Sequence, residues 1–419
     1  MPLSEEIQKF LRQEAKKRFL HYVTFDTTSD ETTGTHPSTE KQFELAKVLA
    51  KEMEELGFEN VVVDDYCYVY GDLPASKGHA KVQKIGLIAH MDTSPAESGE
   101  NVTPIIHDNY DGKPIEYPKN PDIVLTTEDS EELENYKGMD IITSSGDTLL
   151  GADDKAGIAE IMAAAAAWQK WPELEHGPII VCFTPDEEIG QGTANIDKKK
   201  LPKFCYTFDG GEMGELEAEC FDAWKATITF HGISVHPGYA KNKMVNSVEI
   251  ATRFLAEIPE AETPQHTESR EGFYHLYKME GDCVKTTAVL ILRDFEKKNN
   301  EKRMKYLERL KDAFEMRYPK LKIDLDFDHS YENMRTYLKD YPEVLDKAKK
   351  AIKEADLELK ETLIRGGTDG ARLSAMGIPT PNIFAGGILF HSLKEYIPVK
   401  ALQKGAEVII HLGKQWTEK

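Results

Sequence analysis

The sequence predicts an α/β protein, with a mostly parallel central sheet covered by helices on both faces and a second, smaller domain inserted into it. Short apolar runs alternate with helical patterns through the first half of the 419-residue chain, as in sheets whose parallel strands are joined by helices. Residues 221–331 follow a different order, after which the alternation resumes. A chain of this length also suits two domains better than one.

Two helices open the chain, over about residues 4–23 and 39–56. Ser4 is a suitable N-cap for the first helix. Thr39 and Gln42 have the spacing of a capping box for the second, and Gly57 ends it.

The next apolar runs have the composition of buried strands. They occupy residues 61–70, 84–89, 178–184 and 204–208. An alanine-rich helix is predicted over 155–169 and a last helix over 399–416. In sheets of this type the functional residues gather on loops at the carboxyl ends of the strands.

The inserted segment reads as strand, helix, two strands, helix and strand. The six elements are predicted at residues 224–232, 246–258, 273–280, 285–295, 297–318 and 321–328. This βαββαβ order is the ferredoxin-like split motif. The predicted domains are therefore 1–220 with 332–419, and 221–331 between them.

Charge and cysteine content exclude several classes of function. The formal net charge of −21 disfavours nucleic acid and anionic membranes as partners. The amino-terminal residues lack the basic start and apolar core of a signal peptide. Five cysteines without metal-site or redox spacing indicate buried thiols in a reducing compartment, so a cytoplasmic location is expected. A metal site would then need His, Asp and Glu.

Five segments carry such residues, most of them at predicted strand ends. They contain His90 and Asp92, Asp153 and Asp154, Asp186 with Glu187 and Glu188, Asp209 and Glu212, and His391. Each has an ordinary alternative, such as a loop hydrogen bond, helix capping or a solvated surface. Side chains two apart on an extended segment point the same way, so His90 could bind a metal while Asp92 orients its ring.

Together the five segments predict a metal centre at one rim of the sheet. Nitrogen and oxygen ligands suit Zn²⁺, with Mn²⁺ or Co²⁺ as substitutes. Five ligands are too many for one open catalytic zinc ion. They suit two ions that share a bridging carboxylate.

These motifs resemble a two-zinc peptidase family that includes glutamate carboxypeptidase, aminoacylase and succinyl-diaminopimelate desuccinylase. The likeness covers essentially the whole chain, without a departure at a metal or catalytic position. The segments at 34–40, 183–190 and 365–370 resemble a tripeptide aminopeptidase within the family. The resemblance implies a two-zinc exopeptidase-type catalytic domain and a lid.

The resemblance also implies a role for each residue. Asp153 would bridge the metals, with His90 and Asp209 completing one site. Glu188 and His391 would complete the other. Glu187 would be the general base; which of the two adjacent glutamates binds metal rests on the resemblance alone.

Three further residues are predicted to bind substrate. His236 lies in a segment that resembles the family's lid histidine, which helps to stabilise the oxyanion. The resemblance implies a substrate-carboxylate role for Arg293, and the Arg365 guanidinium could bind a carboxylate in a bidentate fashion. The alternative for His236 is a surface loop, for Arg293 a surface or interdomain ion pair, and for Arg365 a structural ion pair.

The expected activity is removal of the N-terminal residue from tripeptides. A dipeptidase or N-acyl-amino-acid deacylase of the same family is the first alternative, and a non-catalytic peptide- or metal-binding protein is the second. Short peptides are the expected partners. Oligomeric state stays open, although lid domains of this kind often pair into homodimers.

Overall fold

The computed structural model describes residues 2–418, and its contacts divide the chain into two compact units. The first runs to Ala218 and resumes over Tyr337–Thr362 and from Thr368 onwards. The second comprises Glu219–Thr336 and Leu363–Gly367. Each unit has its own apolar core.

Residues 2–418 contain nine α-helices. They are α1 (Glu5–Tyr22), α2 (Gln42–Glu55), α3 (Ala152–Lys170), α4 (Ser247–Leu255), α5 (Lys297–Arg317), α6 (Arg335–Leu338), α7 (Pro342–Glu354), α8 (Asp369–Ala375) and α9 (Val399–Gln415). None of these helices has the length and the apolar composition that crossing a membrane requires.

The same part of the chain contains seventeen strands. They are β1 (Glu59–Val63), β2 (Val69–Leu73), β3 (Ile85–His90), β4 (Ile105–His107), β5 (Ile115–Tyr117), β6 (Asn120–Leu125), β7 (Ile141–Thr143), β8 (Ile179–Thr184), β9 (Phe204–Gly210), β10 (Glu215–Cys220), β11 (Asp222–His231), β12 (Phe273–Gly281), β13 (Lys285–Asp294), β14 (Lys322–Tyr331), β15 (Lys360–Ile364), β16 (Asn382–Phe384) and β17 (Tyr396–Pro398).

The main sheet of the first unit has eight strands in the order β1-β2-β8-β3-β9-β16-β10-β15. Its centre is parallel, because β3 pairs in parallel with both β8 and β9, and β9 with β16. Antiparallel pairs flank this centre on both sides. The predicted α/β fold is confirmed as a mixed sheet with a parallel middle.

Apolar side chains cover both faces of this sheet, because successive residues of a strand point to opposite faces. On β3, Leu87 belongs to the large core that includes residues of α1, α3 and α9. Its neighbour Ile88 belongs to a smaller cluster with Leu373 of α8. All six residues of β3 and of β8 are buried, which explains their continuous apolar sequences.

The second unit contains a four-stranded antiparallel sheet in the order β12-β13-β11-β14. Along the chain its elements follow the predicted βαββαβ order. Phe254 of α4 packs against Phe230 of β11 and Phe314 of α5, each at 5.2 Å between ring centroids. These rings join both helices to one face of the sheet.

Two sequence expectations about local structure were wrong. The run 61–70 is not one strand, because the Asp64 carboxylate accepts backbone N–H groups of Tyr66 and Tyr68 at 3.0 Å and turns the chain between β1 and β2. The second helix begins at Gln42 rather than Thr39. The Gln42 amide donates to the Thr39 hydroxyl at 3.2 Å and also to the Asp186 carboxylate at 2.7 Å.

Candidate metal centre

Three neighbouring parallel strands bring the predicted ligands to one edge of the main sheet. β3 ends at His90, β8 ends two residues before Asp186, and β9 carries Asp209 next to its last residue. The carboxyl ends of parallel strands meet at the same edge. The folding pattern therefore gathers residues that are more than a hundred positions apart in sequence.

His90 is buried and contacts three carboxylate residues. Its Nε2 atom lies 2.8 Å from Asp153 Oδ1 and 3.5 Å from Asp209 Oδ1. Its Nδ1 atom lies 3.0 Å from the Asp92 carbonyl oxygen and 3.3 Å from Asp92 Oδ1. Asp92 thus holds one ring nitrogen while the other faces the acidic cluster.

His391 and Glu188 face the opposite oxygen of Asp153. The His391 Nε2 atom lies 3.0 Å from Asp153 Oδ2 and 2.8 Å from Glu188 Oε2. Asp153 therefore directs one oxygen to each histidine, and each histidine has a further carboxylate beside it. This is the shape of a bridging carboxylate between two ligand sets.

Burial and crowding of like charges shift the ionisation of these groups. Burial, followed by the charge of Asp153, raises the pKa of Glu188 to about 8. Burial likewise raises the pKa of Asp209 to about 7. Hydrogen bonds with Asp153 and Glu188 raise the pKa of His391 to about 11. The site thus holds more carboxylates than its histidines can neutralise.

The donor set fits divalent metal ions. The ligand atoms of His90, Asp153 and Glu188 lie within 4.8 Å of one another, as do those of His90, Asp154 and Asp209. The buried Oε1 atom of Glu188 has no hydrogen-bond partner within residues 2–418. Buried carboxylates without partners are costly, and a cation would remove that cost.

Asp92 also holds the turn that carries the two glutamates. Its fully buried carboxylate accepts the Glu187 N–H at 2.9 Å and the Glu188 N–H at 3.1 Å. Because both backbone groups bind one carboxylate, the two glutamate side chains leave the turn in set directions. Burial, and then the charge of Asp209, raises the pKa of Glu187 well above its ordinary value.

No role at the site was predicted from the sequence for two carboxylates that lie near the centre, those of Asp154 and Glu395. Asp154 accepts the His90 N–H at 3.2 Å and the Gly157 N–H at 3.2 Å. Glu395 accepts N–H groups of Leu150, Gly151 and Asp153 at 2.8, 2.8 and 3.1 Å.

Glu395 therefore holds the backbone that presents Asp153. The only sequence signal for it is its place four residues after His391. The adjacent acids at the start of α3 had pointed to Asp154 without distinguishing its role from that of Asp153.

The three predicted substrate residues belong to the second unit. His236 is exposed on a loop, where its Nδ1 atom accepts the Gly238 N–H at 3.1 Å. The Arg293 guanidinium donates to the carbonyl oxygens of Trp224 and Leu292. Arg365 donates to the carbonyl oxygens of residues 267, 269 and 271 at 2.8 to 3.3 Å. Their substrate roles stay predictions.

Residues 145–415 match the family described as peptidase family M20/M25/M40. A Peptidase T from Clostridium acetobutylicum is 46% identical over 408 residues, covering 97% of this chain and 100% of that protein. Aminopeptidase PepT from Bacillus cereus superposes with a TM-score of 0.76 at 23% identity, over 97% of this chain and 99% of the other. A dinuclear metal-binding peptidase of the M20 family from Bacillus subtilis superposes at 0.67 with 12% identity, over 97% and 98%.

The chain therefore belongs to peptidase family M20/M25/M40. The family resemblance drawn from the sequence motifs is confirmed, including the likeness to its tripeptide-cleaving members. The two solved structures support the fold, including the catalytic domain with an inserted second domain.

Proposed function

We propose that this protein is a metal-dependent aminopeptidase that hydrolyses the N-terminal peptide bond of tripeptides. The observation that carries the proposal is the placement of Asp153, with one oxygen toward His90 and the other toward His391. Relatives that share nearly half of the sequence over their full length are named Peptidase T. The name supports peptide hydrolysis, and the two ligand sets around Asp153 support a two-metal centre.

Two Zn²⁺ ions per chain are the proposed cofactor, with Co²⁺ or Mn²⁺ as substitutes. Asp153 would bridge them, His90 with Asp209 would hold one, and Glu188 with His391 the other. Such ions lower the pKa of a bound water and polarise the scissile carbonyl.

Glu187 is the proposed general base. Its carboxylate is close enough to the centre that the charges of Asp209 and His90 affect its pKa, which supports contact with a water held there. It would take the proton of the attacking water and return it to the leaving amine. Asp92 would keep Glu187 aimed by holding its N–H and that of Glu188.

A matched alanine series tests the proposal. Dipeptide, tripeptide, tetrapeptide and N-acetylated tripeptide are offered to the metal-loaded protein with and without chelator. We expect release of free alanine chiefly from the unblocked tripeptide, abolished by chelator and by Glu187→Gln.

Other outcomes of the series would point elsewhere. Preference for the dipeptide or the acetylated substrate would move the protein to a dipeptidase or deacylase activity. Full activity of Glu187→Gln would refute the assigned base.

The expected compartment and assembly complete the proposal. We place the protein in the cytoplasm, supported by five free cysteines, four of them buried. A homodimer through the second unit is supported by its edge strand β12, which exposes Leu276, Tyr277 and Met279. Light scattering would then give twice the mass of one chain, and the Leu276→Lys variant would have the mass of a single chain.

A further inference from the structure

The segment joining α1 to α2, residues 25–42, contacts three loops of the metal centre. The sequence showed its middle part to be a motif, but the chemistry proposed above uses none of its residues. We call residues 25–42 the joining segment. Its side chains and backbone bind groups next to the ligands rather than the ligands themselves.

The carboxyl-terminal end of the joining segment holds Asp186, the residue before the two glutamates. The Ser38 hydroxyl donates to Asp186 Oδ1 at 2.6 Å and the Ser38 N–H to Oδ2 at 2.7 Å. The Gln42 amide donates to Oδ1 at 2.7 Å, and its oxygen accepts the Asp186 N–H at 3.3 Å. His36 Nδ1 lies 3.2 Å from Oδ2.

The side chains that make these contacts with Asp186 are shielded from solvent. Asp186 and Gln42 are fully buried, and Ser38 is 3% exposed. Hydrogen bonds to an ionised group are stronger than neutral ones, and a buried carboxylate left without them is costly. The Asp186 side chain is therefore held at both oxygens with little freedom to move.

The other end of the joining segment holds two further loops. The Ser29 N–H donates to the Thr93 carbonyl at 3.1 Å, and the Thr93 N–H to the Thr27 carbonyl at 3.3 Å. Thr93 directly follows Asp92. The Lys155 ammonium donates to the Phe25 carbonyl at 2.7 Å. One segment thus ties together the loops that carry Asp92, Asp153 and Glu188.

The backbone conformation of Asp186 explains why the hydrogen bonds from Ser38 and Gln42 are needed. Its φ angle is +57°, in the left-handed region. This conformation is unfavourable for a residue with a Cβ atom, and aspartate adopts it where its short side chain is hydrogen-bonded. The bonds from Ser38 and Gln42 compensate for it, and the resulting turn directs the backbone N–H groups of Glu187 and Glu188 toward Asp92.

We propose that Asp186, Ser38 and Gln42 are positioning residues of the metal centre. They act through the turn 186–188, which sets the direction of one metal ligand and of the general base. The roles of Glu187 and Glu188 in this inference rest on the function proposed above. Loss of the hydrogen bonds from Ser38 or Gln42 to Asp186 should weaken metal binding and lower kcat, with a smaller effect on KM.

Ser38→Ala and Gln42→Leu test this inference, because each removes bonds to Asp186 with little change in volume. The matched control is Ser247→Ala, which deletes an equally buried hydroxyl in the second unit, where it donates to the Asp282 carbonyl. All are compared by Zn²⁺ titration against a competing chelator, by kcat and KM on trialanine, and by thermal unfolding.

We expect Ser38→Ala and Gln42→Leu to lose about 10- to 100-fold in metal affinity or kcat, the range typical of groups that orient metal ligands. Ser247→Ala should lose thermal stability only. Metal affinity and kcat within threefold of the original protein in both test variants would overturn the inference. If the unmodified protein does not cleave trialanine, the proposed function fails, while the metal titration still decides the positioning role.

Discussion

Glu160 is a buried carboxyl group whose raised pKa should make the stability of the protein depend on pH. The residue lies within α3, fully buried, and neither carboxylate oxygen has a hydrogen-bond partner within residues 2–418. Gly405 of α9 makes room for it: a Cβ built there would lie 2.0 Å from Oε2. Burial, and then the charge of Asp154, raises the pKa of Glu160 well above 4.5.

The raised pKa makes stability depend on pH in a known direction. The folded protein keeps the Glu160 proton while the unfolded chain loses it above the ordinary value of 4.5. Folding stability should therefore fall by about 1.4 kcal/mol per pH unit above that value, until the folded pKa is reached. Below pH 4.5 both states hold the proton, so Glu160 no longer makes stability depend on pH.

Glu160→Gln removes the titration but keeps the shape and the unpartnered polar atoms. Its unfolding free energy should match that of the original protein at pH 4 and exceed it increasingly as the pH rises. Glu160→Met, which removes the polar atoms too, should be more stable by about a further 1–3 kcal/mol.

Urea unfolding with chelator present at each pH gives these free energies without a contribution from metal binding. Parallel stability curves for Glu160→Gln and the original protein would refute the reasoning.

Three further perturbations have defined outcomes. Asp92→Asn leaves one backbone N–H of the glutamate turn facing an amide, so kcat should fall about 10- to 100-fold, measured on trialanine; an unchanged kcat would contradict the role of Asp92. Burial lowers the pKa of His411 from 6.5 to about 4, so the unfolded chain takes up a proton first and stability falls as pH drops through that window. His411→Gln should remove up to about 2 kcal/mol of this loss between pH 6.5 and pH 5 in urea unfolding. Chelation should lower stability by about 2.7 kcal/mol for each ion removed, relative to metal at a hundredfold excess over Kd, and an unchanged melting temperature would contradict binding to the folded state alone.

The edge of the sheet and the ligands on it could be predicted from the sequence because local patterns determine both. Buried strands such as β3 and β8 appear as continuous apolar runs. A histidine or acid at the end of such a run needs a polar partner or a cation, and parallel strands bring these residues to one edge. His90 and Asp209 could therefore be predicted together from their positions at strand ends.

Residues that act through tertiary hydrogen bonds could not be predicted in this way. Glu395 lies in a short segment of mixed polar and apolar residues, and only the folded chain brings it to the N–H groups around Asp153. Gln42 looked like part of a capping box, but tertiary bonding to Asp186 outweighs that local role. The turn between β1 and β2 was missed because Asp64 and Asp65 are flanked on both sides by residues typical of strands.

Metal stoichiometry tests most directly whether Asp153 joins two separate metal sites. Equilibrium dialysis followed by elemental analysis should find two Zn²⁺ per chain. His391→Ala should retain one, because His90, Asp153 and Asp209 still provide a complete set, while the control His231→Ala, in the second unit, keeps both. One ion in the unmodified protein, or two in His391→Ala with unchanged affinity, would contradict the bridged centre.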